Sequence, residues 1–417
     1  MDAPEIVNPV PVEDVREWIK PLAISLLESV HDDDFDNRVT RRTAGWVPER
    51  AWGVRHRGRW VGSLATEART LTVPDGLTGT RDIVTDALTA VSVAATHRRQ
   101  GLLRRMLERS LAAAVDRGDA VSMLIAAEWP IYGRFGYAPA AYSAQYLLRP
   151  RRTQPLLAPP RPGTMRTVDA AELHEAAEML FDAARRQRPG QVDRAGSWWD
   201  RRLGQQGFLV TGSKPTWIMH DGPDGVDGML GWRVTRDFNL NDNLGAAEVS
   251  DFVAASDDAY RDLWAYLCGI DVVDEITLGD RPVDEPIQWL LHDARALQQR
   301  TRSDSVWVRL LDVPAALTAR GYGRAGRVVL DVVDATTGGY AAGRYALETD
   351  LDGATCHASH EPADLRLDQR SLAAVYLGGQ RLHQLTLRGV QELRPGALDL
   401  VDSMFTVARA PWTQTFF

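Results

Sequence analysis

The chain has 417 residues, 44% hydrophobic and 25% charged, which is enough for two or three domains with real cores and excludes a single small module. Acidic residues outnumber basic ones 56 to 48, and the net charge of -8 with intermixed signs argues against a nucleic-acid partner while suiting cationic ones. No stretch approaches the roughly 18 uncharged residues of a membrane helix. The acidic start MDAPEIVNPVPVEDVREW lacks the basic-then-apolar pattern of a signal peptide, so the expected location is the cytoplasm, away from membranes. Cys268 and Cys356, 88 positions apart, allow neither a disulfide framework nor a four-thiolate zinc site, and no metal is expected. Lys20 and Lys214 stand beside 46 arginines, so a Schiff-base lysine is not expected and anion binding falls to arginine or backbone amides.

In chain order, the first block reads as a helix over Val15–Glu28, then strands over Trp60–Ala65 and Leu88–Val93. A helix follows from Leu102. Its apolar residues Leu103, Met106, Leu107, Leu111, Ala114 and Val115 recur at helical spacing opposite Arg104, Arg105, Glu108 and Arg109, and Gly118 can end it. A strand over Val121–Ala126 comes next. The prolines at 150, 155, 159, 160 and 162 predict a linker, giving a first domain of residues 1–154. The middle block, 155–300, has strand patterns at Phe208–Thr211, Thr216–His220, Met229–Val234 and Glu248–Val253, then a helix over Asp257–Gly269. That order echoes the first block, although no residue-level repeat is visible. After the polar string Gln298–Asp304, the last block, 301–417, has strands at Ser305–Leu311, Arg327–Val333, Tyr340–Glu348 and Ala354–His357 and a helix over Ser371–Gly378, an α+β pattern.

The strongest chemical signal is the passage from strand Leu88–Val93 through Ala94-Ala-Thr-His-Arg98-Arg99-Gln100-Gly101 into the helix at Leu102-Leu103-Arg104. Glycine at 101 lets the backbone curl close to a ligand, and the unpaired amides from Arg99 to Arg104 then point outward at the positive end of the helix dipole. Such a nest suits a pyrophosphate, with Arg98, Arg99 and Arg104 adding charge-assisted bonds. The tetrad Arg-x-x-Gly alone is weak, since it recurs at Arg55–Gly58, Arg201–Gly204 and Arg320–Gly323. Its context of strand, turn, amphipathic helix and second strand is what makes it specific.

Val91-Ser92-Val93, the Arg98-Arg99-x-Gly101-x-Leu103 turn and Ile131-Tyr132-Gly133-Arg134-Phe135-Gly136-Tyr137 resemble the acetyl-CoA motifs of the GNAT acetyltransferases, and more narrowly those of the Eis family. Leu103 departs from the general GNAT pattern, where glycine or alanine is usual, but is similar to the Eis group. The resemblance covers the whole chain. It implies an α/β (α+β) fold with two GNAT-like mixed-sheet domains followed by a sterol-carrier-like domain, in a homohexamer. It also implies that backbone groups of Val91, Ser92 and Val93 pair with the pantetheine arm of acetyl-CoA. On the same ground Arg98 to Arg104, including Gln100, Leu102 and Leu103, hold its pyrophosphate, and Ala127 and Glu128 face the cofactor where the two strands part.

Acetyl transfer to an amine needs a neutral nucleophile, a polarised thioester and a proton for the departing thiolate. Tyr132 is the proton-donor candidate, its phenol having a reference pKa near 10. In Eis proteins the C-terminal carboxylate is the base, which here implies Phe417. After Arg409 the ending Ala-Pro-Trp-Thr-Gln-Thr-Phe-Phe carries no charge but the terminus, and Trp412, Phe416 and Phe417 are expected to bury it. In the middle block, Asp257 and Asp258 stand where the glycine-arginine turn belongs and would repel a pyrophosphate, so one active site per chain is expected.

For the acceptor, a small-molecule amine, the candidates are the acidic run Asp32-Asp33-Asp34-Phe35-Asp36, read as a loop, with Trp46 and Trp52 following. Carboxylates and aromatic faces suit a polycation such as an aminoglycoside. Phe416, where an acidic residue would favour cations, instead favours a more apolar amine. The competing reading is a non-catalytic carrier or sensor of acyl-CoA or lipid. Gly321-Tyr-Gly-Arg-Ala-Gly326 satisfies the dinucleotide fingerprint in letters only, because it precedes a strand instead of following one. His174-Glu175-x-x-Glu178 and Cys356-His357-x-x-His360 lack the partners of a zinc site.

Overall fold

The structure, a computed structural model, describes residues 3–31, 33–153, 156, 163–194, 198–203, 214–238, 244–336, 338–350 and 353–417, without the side chains of 33, 34, 41 and 201. Strand Glu5–Val7 (β1) leads to helices Val15–Ser25 (α1) and Asp33–Ala44 (α2), then strands Ala51–His56 (β2), Arg59–Asp75 (β3) and Gly79–Val93 (β4). Helix Leu102–Asp116 (α3), strand Val121–Ile125 (β5), the single turn Trp129–Tyr132 (α4) and strand Ala138–Pro139 (β6) follow. Residues 33–36 of the acidic run, expected in a loop, instead open α2, anchored by Phe35, which is buried in the core with Trp18 of α1. β3 and β4 are far longer than the short strands expected, forming one hairpin paired from Gly62–Val93 to Asp75–Gly79. Both arms are rich in β-branched threonine, valine and isoleucine, and Gly76 at φ 82° turns the tip.

The chain continues through strands Tyr142–Leu148 (β7) and Thr164–Val168 (β8), helices Ala170–Arg185 (α5) and Trp198–Arg202 (α6), and strands Thr216–Gly222 (β9), Gly225–Arg236 (β10) and Gly245–Ala254 (β11). Helix Asp257–Cys268 (α7) and strands Val273–Pro282 (β12) and Leu297–Asp304 (β13) come next. The strand expected at Phe208–Thr211 lies outside the described residues. Last are strand Val306–Leu310 (β14), helix Val313–Thr318 (α8), strands Gly326–Val333 (β15), Gly343–Thr349 (β16), Ala354–Ala358 (β17) and Leu365–Asp368 (β18), helix Gln369–Val375 (α9), strand Gln391–Glu392 (β19) and helix Ala397–Phe405 (α10).

Two compact units result: Met1–Ala140 with Val306–Ala408 and Phe416–Phe417, and Ala141–Ser305 with Arg409–Thr415. The first holds a seven-stranded sheet, β1-β2-β3-β4-β5-β14-β6, and a five-stranded sheet, β17-β16-β15-β18-β19. The second holds the sheet β13-β7-β12-β11-β10-β9-β8. Pairing thus places β7, which precedes the proline run, in the second unit. β14, which opens the last block, lies in the first sheet, between β5 and β6. In the first unit the apolar stripe of α3 (Leu102, Met106, Leu107, Leu111, Ala114) packs on Leu64, Leu88 and Leu124, with Trp52 buried among them. Trp52, expected beside the acceptor, is therefore a core residue.

In the second unit His220 is buried, with Nδ1 2.5 Å from Asp227 Oδ1 and Nε2 3.1 Å from Asp262 Oδ2. Burial opposes a charged ring, but the hydrogen bonds and charges of Asp227 and Asp262 outweigh it and hold the imidazole above its ordinary pKa. A raised folded pKa favours the folded state fully below the unfolded value of about 6.5, and that contribution is lost as pH rises through the folded value. The melting temperature of the second unit should therefore fall as pH is raised from about 6 to 9. His220→Gln should flatten that dependence; an unchanged slope in scanning calorimetry would assign it elsewhere.

Candidate active site

β4 and β5 run parallel but pair only from Asp86–Ser122 to Leu88–Leu124. Past that point they part. The far edge of β4 stays occupied by β3, with a bulge where Thr89–Ser92 faces Ser63–Ala65 and Ala90 takes φ 53°. Ser63 Oγ fixes the bulge by donating to Ala90 O at 2.8 Å and meeting Ser92 Oγ at 2.9 Å. The far edge of β5 is occupied by β14. The backbone of Val91 and Val93 on one side, and of Ala127 and Glu128 on the other, therefore borders an open wedge, which an extended ligand can enter as a strand would.

At the outer end of β4 the chain turns into α3. Gly101, at φ 73°, begins the helix with no side-chain cap, and the first helical bond is Arg105 N to Gly101 O. The amides of Leu102, Leu103 and Arg104 are left for an anion. Arg98, Arg99, Gln100 and Arg104 are exposed around them, Arg99 in the left-handed region at φ 65°. The counterpart in the second unit differs. There Ser256 Oγ accepts the Ala259 amide, and Asp257 and Asp258 fill the first turn of α7, so that helix start is closed to phosphate.

Tyr132 ends α4 and is 7% exposed. Burial, helped by the charge of Glu128, pushes its phenol up to about 12, so it stays protonated throughout the neutral range. Its ring meets Tyr137 edge-on at 6.3 Å, and the Tyr137 hydroxyl lies 2.7 Å from Ser122 Oγ, which donates to Asp86 O. Two arginines of the last block, missed by sequence reasoning, hold this turn. Arg309 of β14 donates to Phe135 O, and the Arg370 guanidinium lies 2.8 Å from where a β-carbon on Gly133 would be. No local pattern marks them, because their partners are some 170 to 240 positions away in sequence.

The end of the chain differs from expectation in its anchors. Trp412 is buried and donates from Nε1 to Asp280 O at 2.7 Å, and Thr415 Oγ1 donates to Val192 O at 2.9 Å. Phe416 is instead 74% exposed and Phe417 half-buried. A small polar residue, Thr415, does part of the anchoring that the aromatic pattern assigned to Phe416. Phe417 and Tyr132 belong to the same unit. Of the acceptor candidates, Trp46 is half-buried, donates to Val10 O at 2.8 Å and packs edge-on against Trp18. Asp33 begins α2, and its side chain lies outside the described residues.

Residues 7–140 and 190–310 each match an acetyltransferase (GNAT) domain family, and 313–414 match a sterol carrier protein domain family. The fold is thus that of a GNAT acetyltransferase, a class that uses acetyl-CoA as co-substrate. An uncharacterized N-acetyltransferase of Streptomyces griseus is 35% identical over 99% of both chains. N-acetyltransferase Eis of Mycobacterium tuberculosis is 33% identical over 78% of this chain and 77% of its own. The crystal structure of Eis1 from Mycobacterium abscessus superposes with a TM-score of 0.84 at 30% identity, covering both chains completely. The chain belongs to the Eis family of N-acetyltransferases.

The residues present fit acetyl-CoA: a helix start with no side-chain cap, two parallel strands that stop pairing beyond Leu88–Leu124, and a Gly101 above which a β-carbon would meet nothing within 4 Å. Gly101→Ala therefore tests backbone conformation rather than space. Holding alanine left-handed costs about 1–2 kcal/mol, and the acetyl-CoA Kd should rise about tenfold as the turn relaxes, read by calorimetry. An unchanged Kd would remove this turn from the binding site.

Proposed function

We propose that this protein transfers the acetyl group of acetyl-CoA to a primary amine of a small molecule, with aminoglycosides as the acceptor class, Tyr132 as general acid and the Phe417 carboxylate as general base. Residues 1–154 are read as the cofactor-binding domain, 155–300 as a degenerate copy, and 301–417 as the domain that supplies the terminus. The observation that carries this reading is a phenol held protonated on a buried turn, in the same unit as the wedge and the chain's last residue. The family resemblance is the ground for reading the working form as a cytoplasmic homohexamer. Among the described residues no helix is long and apolar enough to cross a membrane.

Acetyl-CoA, when bound, supplies the thioester carbon. The Phe417 carboxylate takes one proton from the acceptor's ammonium as the nitrogen becomes nucleophilic, the N–C bond forms and the C–S bond breaks, Tyr132 gives its proton to the departing sulfur, and the second nitrogen proton, shed as the amide forms, returns Tyr132 to its phenol. Since its pKa sits near 12, Tyr132 does not limit activity on the alkaline side below about pH 11.

Tyr132→Phe should leave acetyl-CoA binding unchanged and lower kcat by about 10²- to 10⁴-fold, the usual share of general acid catalysis. Wild-type turnover in the variant would exclude the role. Deleting Phe417, or extending it with a tag, should abolish turnover with little change in melting temperature; an active extended protein refutes the terminal base. Thiol release from acetyl-CoA across polyamines, aminoglycosides and arylamines identifies the acceptor class.

A further inference from the structure

Coenzyme A carries a 3′-phosphate besides its pyrophosphate, and the α3 turn accounts only for the latter. The β2–β3 hairpin lies beside that turn. Ala94 N donates to Val61 O at 2.8 Å, and His56 Nδ1 is 2.7 Å from His97 Nε2, whose Nδ1 is in turn 2.8 Å from Thr96 Oγ1. One hydrogen bond between imidazoles thus ties the hairpin tip to the residue preceding Arg98 and Arg99.

The tip is Arg57-Gly58, with His56 and Arg59 paired across it, and both turn residues are left-handed, at φ 50° and 72°. Such a two-residue turn favours asparagine before glycine. An arginine in this backbone conformation carries strain, and the nearby Arg99 carries the same strain at φ 65°. Arg57, Arg59, Arg98, Arg99 and Arg104 are exposed and have no carboxylate partner among the described residues. Several other arginines of the unit are paired: Arg38 with Glu28, Arg42 with Glu67, Arg50 and Arg117 with Asp86, Arg55 with Asp14. In a chain of net charge -8, five unpaired arginines gathered around two adjoining turns make a local anion-attracting field.

We propose that the β2–β3 hairpin tip is the seat of the 3′-phosphate of coenzyme A, with Arg57 and Arg59 as its ligands and the His56–His97 pair as the positioning contact that holds the tip beside the pyrophosphate turn. This rests on the reading that the first unit binds acetyl-CoA. The arginines on the tip belong to a strand hairpin outside the αβ core of the nucleotide turn, so they set which nucleotide is accepted without touching the reacting atoms.

The test compares acetyl-CoA with 3′-dephospho-acetyl-CoA in the full chain, for wild type and for Arg57→Asn combined with Arg59→Gln. Asparagine before Gly58 suits the turn, so the variant keeps its fold. Wild type should prefer acetyl-CoA by about tenfold or more in KM at low ionic strength, a preference weakening with added salt. The double variant should lose that preference, with KM for acetyl-CoA rising to that of the dephospho compound while kcat and the dephospho KM stay as in wild type. Arg99→Ala should weaken both compounds equally. Equal KM values in wild type, or a preference unchanged in the double variant, overturns the proposal. Binding of neither compound to wild type overturns the cofactor reading itself, and the proposal with it.

Discussion

The structure of the first unit depends on where β4 and β5 stop pairing. A parallel pair that continued past Leu88–Leu124 would satisfy its own backbone and leave nothing for a ligand; one that parted earlier would lose the sheet. The root of the wedge is held by charge. Asp86, 1% exposed, faces Ser122 at the first pairing position and takes Arg50 Nη1 at 2.9 Å and Arg117 Nη2 at 2.7 Å. Burial pushes its carboxyl up to about 6 in spite of both arginines, a sign of how dry the position is. Removing one partner of such a buried set costs about 3–5 kcal/mol, because it strands a charge. From Asp86 the contact runs through Ser122 to Tyr137 and to Tyr132, so the groups that fix the opening also fix the proposed acid.

The second unit repeats this parting of parallel strands around a different helix start. β11 and β12 are also parallel, paired from Gly245–Val273 to Val249–Leu278, and then part. At the opening, buried Arg281 reaches across to Phe252 O at 3.4 Å, stacks on the Phe252 ring at 4.4 Å and pairs with Glu285. With a hydroxyl cap and two carboxylates at the start of α7, the unit keeps the strand frame of a cofactor site while its helix start already carries its own cap.

Local signals were legible in the sequence where they have a period or a fixed turn chemistry. The α3 stripe, the left-handed Gly101 and the strand that precedes it all follow from neighbours a few residues apart. The β3–β4 hairpin was only half visible, since threonine and charged residues interrupt its apolar run and its outer arms do not read as buried strand. The pairing of β14 with β5 had no local signature at all, joining segments about 180 positions apart. Aromatic character also says nothing about direction: Trp52 went to the core and Phe416 to solvent, although both were read as parts of the acceptor region. A phenol placed at its reference pKa of about 10 in the sequence sits near 12 once buried.

The last block has its reason for attachment in these same long-range contacts. β14 covers the edge of β5 that would otherwise be open on its outer side, which confines the unpaired backbone to the wedge. Arg309, fully buried on that strand, sits 3.7 Å from Asp334 and spends a guanidinium hydrogen on Phe135 O, within the turn that carries Tyr132. Gln369 Nε2 donates to Leu310 O at 3.1 Å, locking α9 to β14 and setting Arg370 against Gly133. A buried guanidinium is costly to desolvate, and an apolar side chain of equal volume would stabilise the fold as well or better. What the arginines add is direction: a planar fork admits one orientation of the carbonyl it binds, so the turn that carries Tyr132 is held in a single pose.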